Sequence, residues 1–94
     1  MQKAIISELK PTNRRKSFGH KAKLIYNPDN RAHYLRSYDT TMAGYVKGKV
    51  HRYSDYHSAT TSTHLQSFFD CCGVSMTTED FYALKCEKCP AIAI

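Results

Sequence analysis

No stretch of this chain is apolar for long enough to cross a bilayer, and Met1–Ile6 is too short to serve as the hydrophobic segment of a secretory signal. A soluble, cytoplasmic protein without a membrane partner is therefore expected. Internal repeats and low-complexity tracts are also missing. Acidic residues are scarce, eight against fourteen Lys and Arg, and no paired carboxylates or nucleophile accompany a histidine in sequence. That absence argues against an enzyme. At 94 residues the chain can build one small domain and cannot divide its core in two.

What is present is unevenly spread. Residues 1–38 hold nine of the bases against two acids, whereas the remainder nearly cancels. A one-sided positive field concentrates polyanions and speeds encounter with them, which points to nucleic acid or an acidic partner. A hydrophobic fraction of 41% with eleven Tyr and Phe suffices for a core. The polar residues 9–20, with Pro11, Asn13 and Gly19, read as part of a flexible basic N-terminal arm over 1–20, leaving 21–94 as a single α+β domain.

The pattern up to Tyr53 favours strands. Ala22, Leu24 and Tyr26 alternate with lysines and Ile25, and Asn27-Pro28-Asp29-Asn30 is a turn. A second strand is expected from Ala32 to Tyr38, with Ala32, Tyr34, Arg36 and Tyr38 on one face and His33, Leu35 and Ser37 on the other. Either face could be the buried one. A third covers Met42 to Val46, and Gly48 turns the chain into a fourth, Val50 to Tyr53. This is a three- to four-stranded antiparallel meander.

Beyond the polar residues 54–60 the period becomes helical. Leu65, Phe68, Phe69 and Cys72 form one apolar stripe, Thr61 or Ser62 is placed to cap its start, and Gly73 to end it. A shorter helix after Thr77 carries Glu79 and Asp80 in its first turn and buries Phe81 and Leu84. The expected fold is thus α+β, a meander followed by two helices packed on one face.

The stretches Leu35 to Ala43 and Ser58 to Phe68 contain Ser37-Tyr38-Asp39-Thr40 and Thr60-Thr61-Ser62-Thr63-His64. They resemble a loose family of small phage and mobile-element proteins with a serine-tyrosine-any-threonine strand and a threonine-threonine-any-any-histidine helix start. The resemblance spans about a third of the chain, implies a phage or mobile-element origin, and carries over no catalytic residues. In physical terms, His64 stands where a side chain can reach back to the cap backbone, as Glu does in a capping box. Proton transfer between His64 and Tyr38 or Asp39 is the competing, less favoured reading.

Cys86 and Cys89 have the two-residue spacing of a metal knuckle, with Cys71 and Cys72 upstream. Adjacent helical residues point about 100° apart, so Cys71 and Cys72 cannot easily share an ion. A zinc site needs one of them with Cys86, Cys89 and an imported His51 or His57, and reduced thiols are favoured over it. A DNA-reading helix-turn-helix over Phe69–Leu84 is disfavoured by the bulk of Phe69 and by acids at the start of the second helix.

The expected contacts to a partner are Arg14, Arg15, Lys16, Lys21, Lys23, Arg31 and Arg36, with Tyr34, Tyr38, Tyr45 and Tyr53 for stacking. Solubility alone accounts for such residues equally well. The leading expectation is a small non-enzymatic accessory protein of phage type, acting on a host protein or nucleoprotein complex, an inhibitor of a host defence system such as CRISPR being one form. The alternatives are a DNA- or RNA-binding module and a small zinc-stabilised domain.

Overall fold

A computed structural model of the protein describes residues 3–12 and 18–92. Five strands, β1 (Ile5–Glu8), β2 (Ala22–Asn27), β3 (Ala32–Ser37), β4 (Thr40–Val46) and β5 (Lys49–Arg52), form one antiparallel sheet in chain order. Two helices follow, α1 (Ala59–Cys72) and α2 (Thr78–Tyr82). The α+β meander with two helices is as expected, with one strand more.

The extra strand comes from the supposed arm. Ile5 and Ile6 suit an extended edge, and β1 pairs along β2 from Ile5 opposite Tyr26 to Glu8 opposite Lys23. Leu9 and Phe18 are 4% and 6% exposed within the core, and Thr12 ties the segment to α1, its hydroxyl donating to Asp70 Oδ2 at 2.6 Å and its backbone N–H to Ser67 Oγ at 3.1 Å. Two buried apolar anchors thus hold the described part of residues 1–20 on the domain. Arg14, Arg15 and Lys16 lie outside the described residues.

Tight turns set the register. Lys47 and Gly48 have φ of 52° and 78°, the double left-handed conformation that matches the twist of a two-residue hairpin. Asn27 and Asn30 accept from the backbone of Asp29 and Ala32 at 3.1 Å each, closing the turn before β3. Tyr38 lies beyond β3, in the next turn, at φ 56°. A register shift between Leu35 and Arg36 leaves Met42 as the extra residue of β4.

The cap of α1 is Ser58, whose Oγ accepts from Thr61 N at 3.1 Å; Thr61 and Ser62 are already helical. An acceptor in extended conformation three residues earlier starts the helix sooner than the apolar stripe suggests. Gly73, at φ 72°, ends it, and Val74 N–H returns to Phe69 O at 2.8 Å. Thr77 and Asp80 form a reciprocal capping box on α2.

Both faces of the sheet are buried in part. On the helix side Leu65, Phe68, Phe69 and Phe81 pack with Leu35, Met42, Ala43 and Val50. On the back, Ile25, Ala32 and Tyr34 are covered with help from Ala4, Val46, Tyr53 and Ile92. Among the described residues no helix is long and apolar enough to cross a membrane.

Candidate binding surface

Because directly paired residues share a face, the registers sort the helix side into rows across the strands. The row nearest the start of α1 pairs Ala22 with Ser37. The Ser37 Oγ lies 2.8 Å from His64 Nδ1 and 3.3 Å from Thr61 Oγ1, and Ser58 Oγ donates to Thr61 Oγ1 at 3.1 Å. Ser37, Thr61 and His64 are 2%, 0% and 1% exposed. The Phe18 ring meets His64 edge-on at 4.6 Å, and the Tyr38 ring lies 5.9 Å away. The serine-tyrosine-any-threonine and threonine-threonine-any-any-histidine segments therefore meet, joined by a buried hydrogen-bonded chain. His64 spends Nδ1 on Ser37 rather than on the helix cap. A buried, hydrogen-bonded site of this kind fixes the docking of α1 on β3.

The middle row, Leu24, Leu35, Ala43 and Arg52, runs under the helices. The Arg52 guanidinium is nearly buried. Its Nε and Nη2 donate to Leu84 O at 2.8 and 2.5 Å, and its Nη1 to Ser54 O at 3.2 Å and Asp55 Oδ1 at 2.5 Å. One side chain thereby ties the end of the α2 region to the loop before α1, a role its place in a strand does not reveal.

The far row is open from β1 to β3 and closes into the core at Val50. Ile5, Tyr26, His33, Tyr45 and Val50 are successive cross-strand partners. Ile5 is 61% exposed, Tyr26, His33 and Tyr45 are half-buried, and the Tyr26 and His33 rings lie 4.9 Å apart. The turns after β2 and β4 both close at this end of the sheet, where β1 also begins. Lys3, Arg31, Lys47 and Lys49 are all exposed there, against one acid, Asp29.

The residues expected to bind are scattered. Tyr45 and Arg31 share the open end. Lys21 and the exposed Tyr38 lie at the opposite end, and Lys23, Arg36 and Tyr53 are on the back. Tyr34 is fully buried, its hydroxyl taking a 3.0 Å bond from Asn30 Nδ2, and is closed to stacking. Burial, helped by the neighbouring Tyr34, Cys89 and Glu87, holds the Tyr53 hydroxyl well above ordinary phenol acidity. Tyr26 and His33 belong to the open row although their own strands gave no sign of it, because only the register brings them beside Tyr45.

The four cysteines are free. Cys71 lines a groove of about 430 Å³ between β1, residues 9–12 and α1, whereas Cys86 bridges to Arg52 at the opposite edge of the sheet. Burial pushes the Cys72 thiol up to about 12, with Cys71 adding to it, so it packs as a small hydrophobe. Cys89 is also raised, mainly by burial, against a hydrogen bond with Thr41. Among the described residues no three His, Cys, Asp or Glu converge as metal ligands, and Cys71 stands apart from Cys86 and Cys89.

No curated protein matches the chain, and neither does any solved structure. Residues 7–83 match DUF8033, a family of unknown function, and the chain belongs to that family.

Proposed function

We propose that the protein is a small non-enzymatic binding protein whose partner is nucleic acid, free or carried in a host nucleoprotein complex. The observation that supports it is unspent charge. Of the fourteen Lys and Arg, three lie outside the described residues, and among the other eleven only Lys23 and Arg52 pair with a carboxylate of the described residues. Nine cations with no ion-pair partner among the described residues form a field that a polyanion neutralises, with release of its counterions.

The test is binding of the purified protein to mixed-sequence DNA and RNA in a salt titration from about 50 to 200 mM. Six or more phosphate contacts cost about a thousandfold in affinity or more over that range. Weak binding that ignores salt would sink the reading.

A second reading is a phage-type accessory protein that docks on a host protein, as an inhibitor of a defence complex does. β1 favours it, an edge strand with Ile5 61% and Ile6 43% exposed, able to add to a partner's sheet. Under this reading Ile6→Lys abolishes binding to the host target and leaves nucleic-acid binding intact.

A further inference from the structure

We infer that Tyr26, His33 and Tyr45 form a stacking platform for the unpaired bases of single-stranded nucleic acid, with Lys3, Arg31 and Lys47 holding its phosphates. The inference rests on the nucleic-acid reading and assigns it a place and a strand type.

Three features converge at this end of the sheet. The three ring-bearing residues stand on neighbouring strands in one register row, about 4.8 Å from strand to strand, with the Tyr26 and His33 rings 4.9 Å apart and Tyr45 beyond them, packed in part against the core. The helices leave that row half-exposed, while they bury Leu35 and Ala43 in the next row completely. Among the described residues no group hydrogen-bonds the hydroxyls of Tyr26 and Tyr45 or the ring nitrogens of His33, and no buried polar side-chain atom lacks a partner. Those polar tips therefore reach solvent, where a base edge or sugar can meet them.

Charge selects the occupant. Three exposed bases, Lys3, Arg31 and Lys47, surround the row, from the start of β1 and from the two turns, and none of them pairs with a carboxylate of the described residues; Lys49, paired with Val46, points to the back. A purely apolar partner leaves those three charges unanswered. A duplex answers them but keeps the faces of its bases stacked on one another, out of reach of the rings. A single strand does both, because every base carries a π-face and its backbone runs alongside. Arg31 and Lys47, held at φ of 55° and 52°, are set at the turn tips, where phosphates of a strand crossing the row would pass.

The experiment is fluorescence anisotropy at fixed salt with three probes, a 12-nucleotide oligo(dT), the corresponding oligo(rU), and a blunt 12-base-pair duplex. They are titrated with the wild-type protein and with Tyr26→Leu and Tyr45→Leu, which keep apolar volume and remove the ring. Single strands are expected to bind more tightly than the duplex. Each substitution should weaken single-strand binding by about 5- to 150-fold with the salt slope unchanged, since no charge is lost. Arg31→Glu should instead flatten the slope. If Tyr45→Leu unfolds, as circular dichroism would reveal, the more exposed edge of the row is still tested by Tyr26→Leu. Equal affinity for strand and duplex, or single-strand binding indifferent to the ring substitutions, overturns the platform and leaves the broader reading standing. No binding to any of the probes overturns both. The two oligomers compared with each other show whether the sugar matters.

Discussion

At one end of the helix-side face His64 is 1% exposed, with Nδ1 2.8 Å from Ser37 Oγ and Phe18 against its ring. At the other end His33 stands half-buried between Tyr26 and Tyr45, with no hydrogen-bond partner for its nitrogens among the described residues. The two histidines lie on the same side of the same sheet and differ in what covers them. Over Ser37 the first turns of α1 and Phe18 close the site, so every polar atom must be matched inside the protein. Over Tyr26 and His33 nothing equivalent arrives from the described residues, and the polar atoms stay with water. A buried polar cluster with its bonds made commits the chain to one docking, whereas a half-exposed aromatic row adds little to stability and keeps its surface available.

Stability measurements can break this comparison, and the core between the two ends should give the largest effect. Phe69 is fully buried between Phe68 and Phe81, whose ring centroids lie 6.1 and 5.7 Å from its own. Phe69→Ala should cost about 3–5 kcal/mol in denaturant unfolding, enough to unfold much of so small a domain. A loss under about 1 kcal/mol would mean that α1 is not seated as described.

On the back of the sheet, Gly44 lies under two rings. A Cβ there would come within 2.8 Å of the Tyr53 hydroxyl and 2.9 Å of Tyr34 Cε1. Tyr34 is fully buried and cannot move aside, so Gly44→Ala should destabilise by about 1–3 kcal/mol through overpacking. Thermal melts of Gly44→Ala, alone and combined with Tyr53→Ala, check the cause. Removing the Tyr53 ring should recover part of the loss caused by alanine, and no recovery would rule out the ring as its source.

The closed end should answer next. Ser37→Ala removes the partner of His64 Nδ1 and one contact of Thr61 Oγ1, in a site buried from solvent, and should cost about 1–3 kcal/mol. A double-mutant cycle with His64→Leu separates the bond from the packing. Coupling above about 0.5 kcal/mol supports the Ser37–His64 bond, and strict additivity contradicts it.

How much of this was legible beforehand follows the range of the signals. The stripe Leu65, Phe68 and Phe69, the Gly73 stop, the Thr77 cap and the Gly48 hairpin are written in residues within a few positions of one another, and the structure has all of them. β1 escaped because a four-residue edge strand with every residue exposed has no buried alternation to display. The meeting of Ser37 with His64 links residues 27 apart, and the row of Tyr26, His33 and Tyr45 depends on the registers of two hairpins. Choosing tyrosines by type alone selected Tyr34, which is buried, and passed over Tyr26, which is not. Strand alternation gave each side chain a face, but not the depth to which the helices cover that face.

The open end should respond least, and that small response sharpens the contrast most. Tyr26 has Ile5 and His33 as cross-strand neighbours and keeps part of its surface in water. Tyr26→Ser removes cross-strand contacts, for which about 0.2–1 kcal/mol is the usual scale, and creates no cavity in the core. Urea unfolding of Tyr26→Ser beside Ser37→Ala tests both ends of one face in a single comparison. If Tyr26→Ser is the milder change, the row is not needed to hold the fold, and its rings and neighbouring cations are free to serve a partner. If it costs as much as Ser37→Ala, Tyr26 belongs to the core, and any weakening of nucleic-acid binding in Tyr26 variants has to be read as a loss of fold.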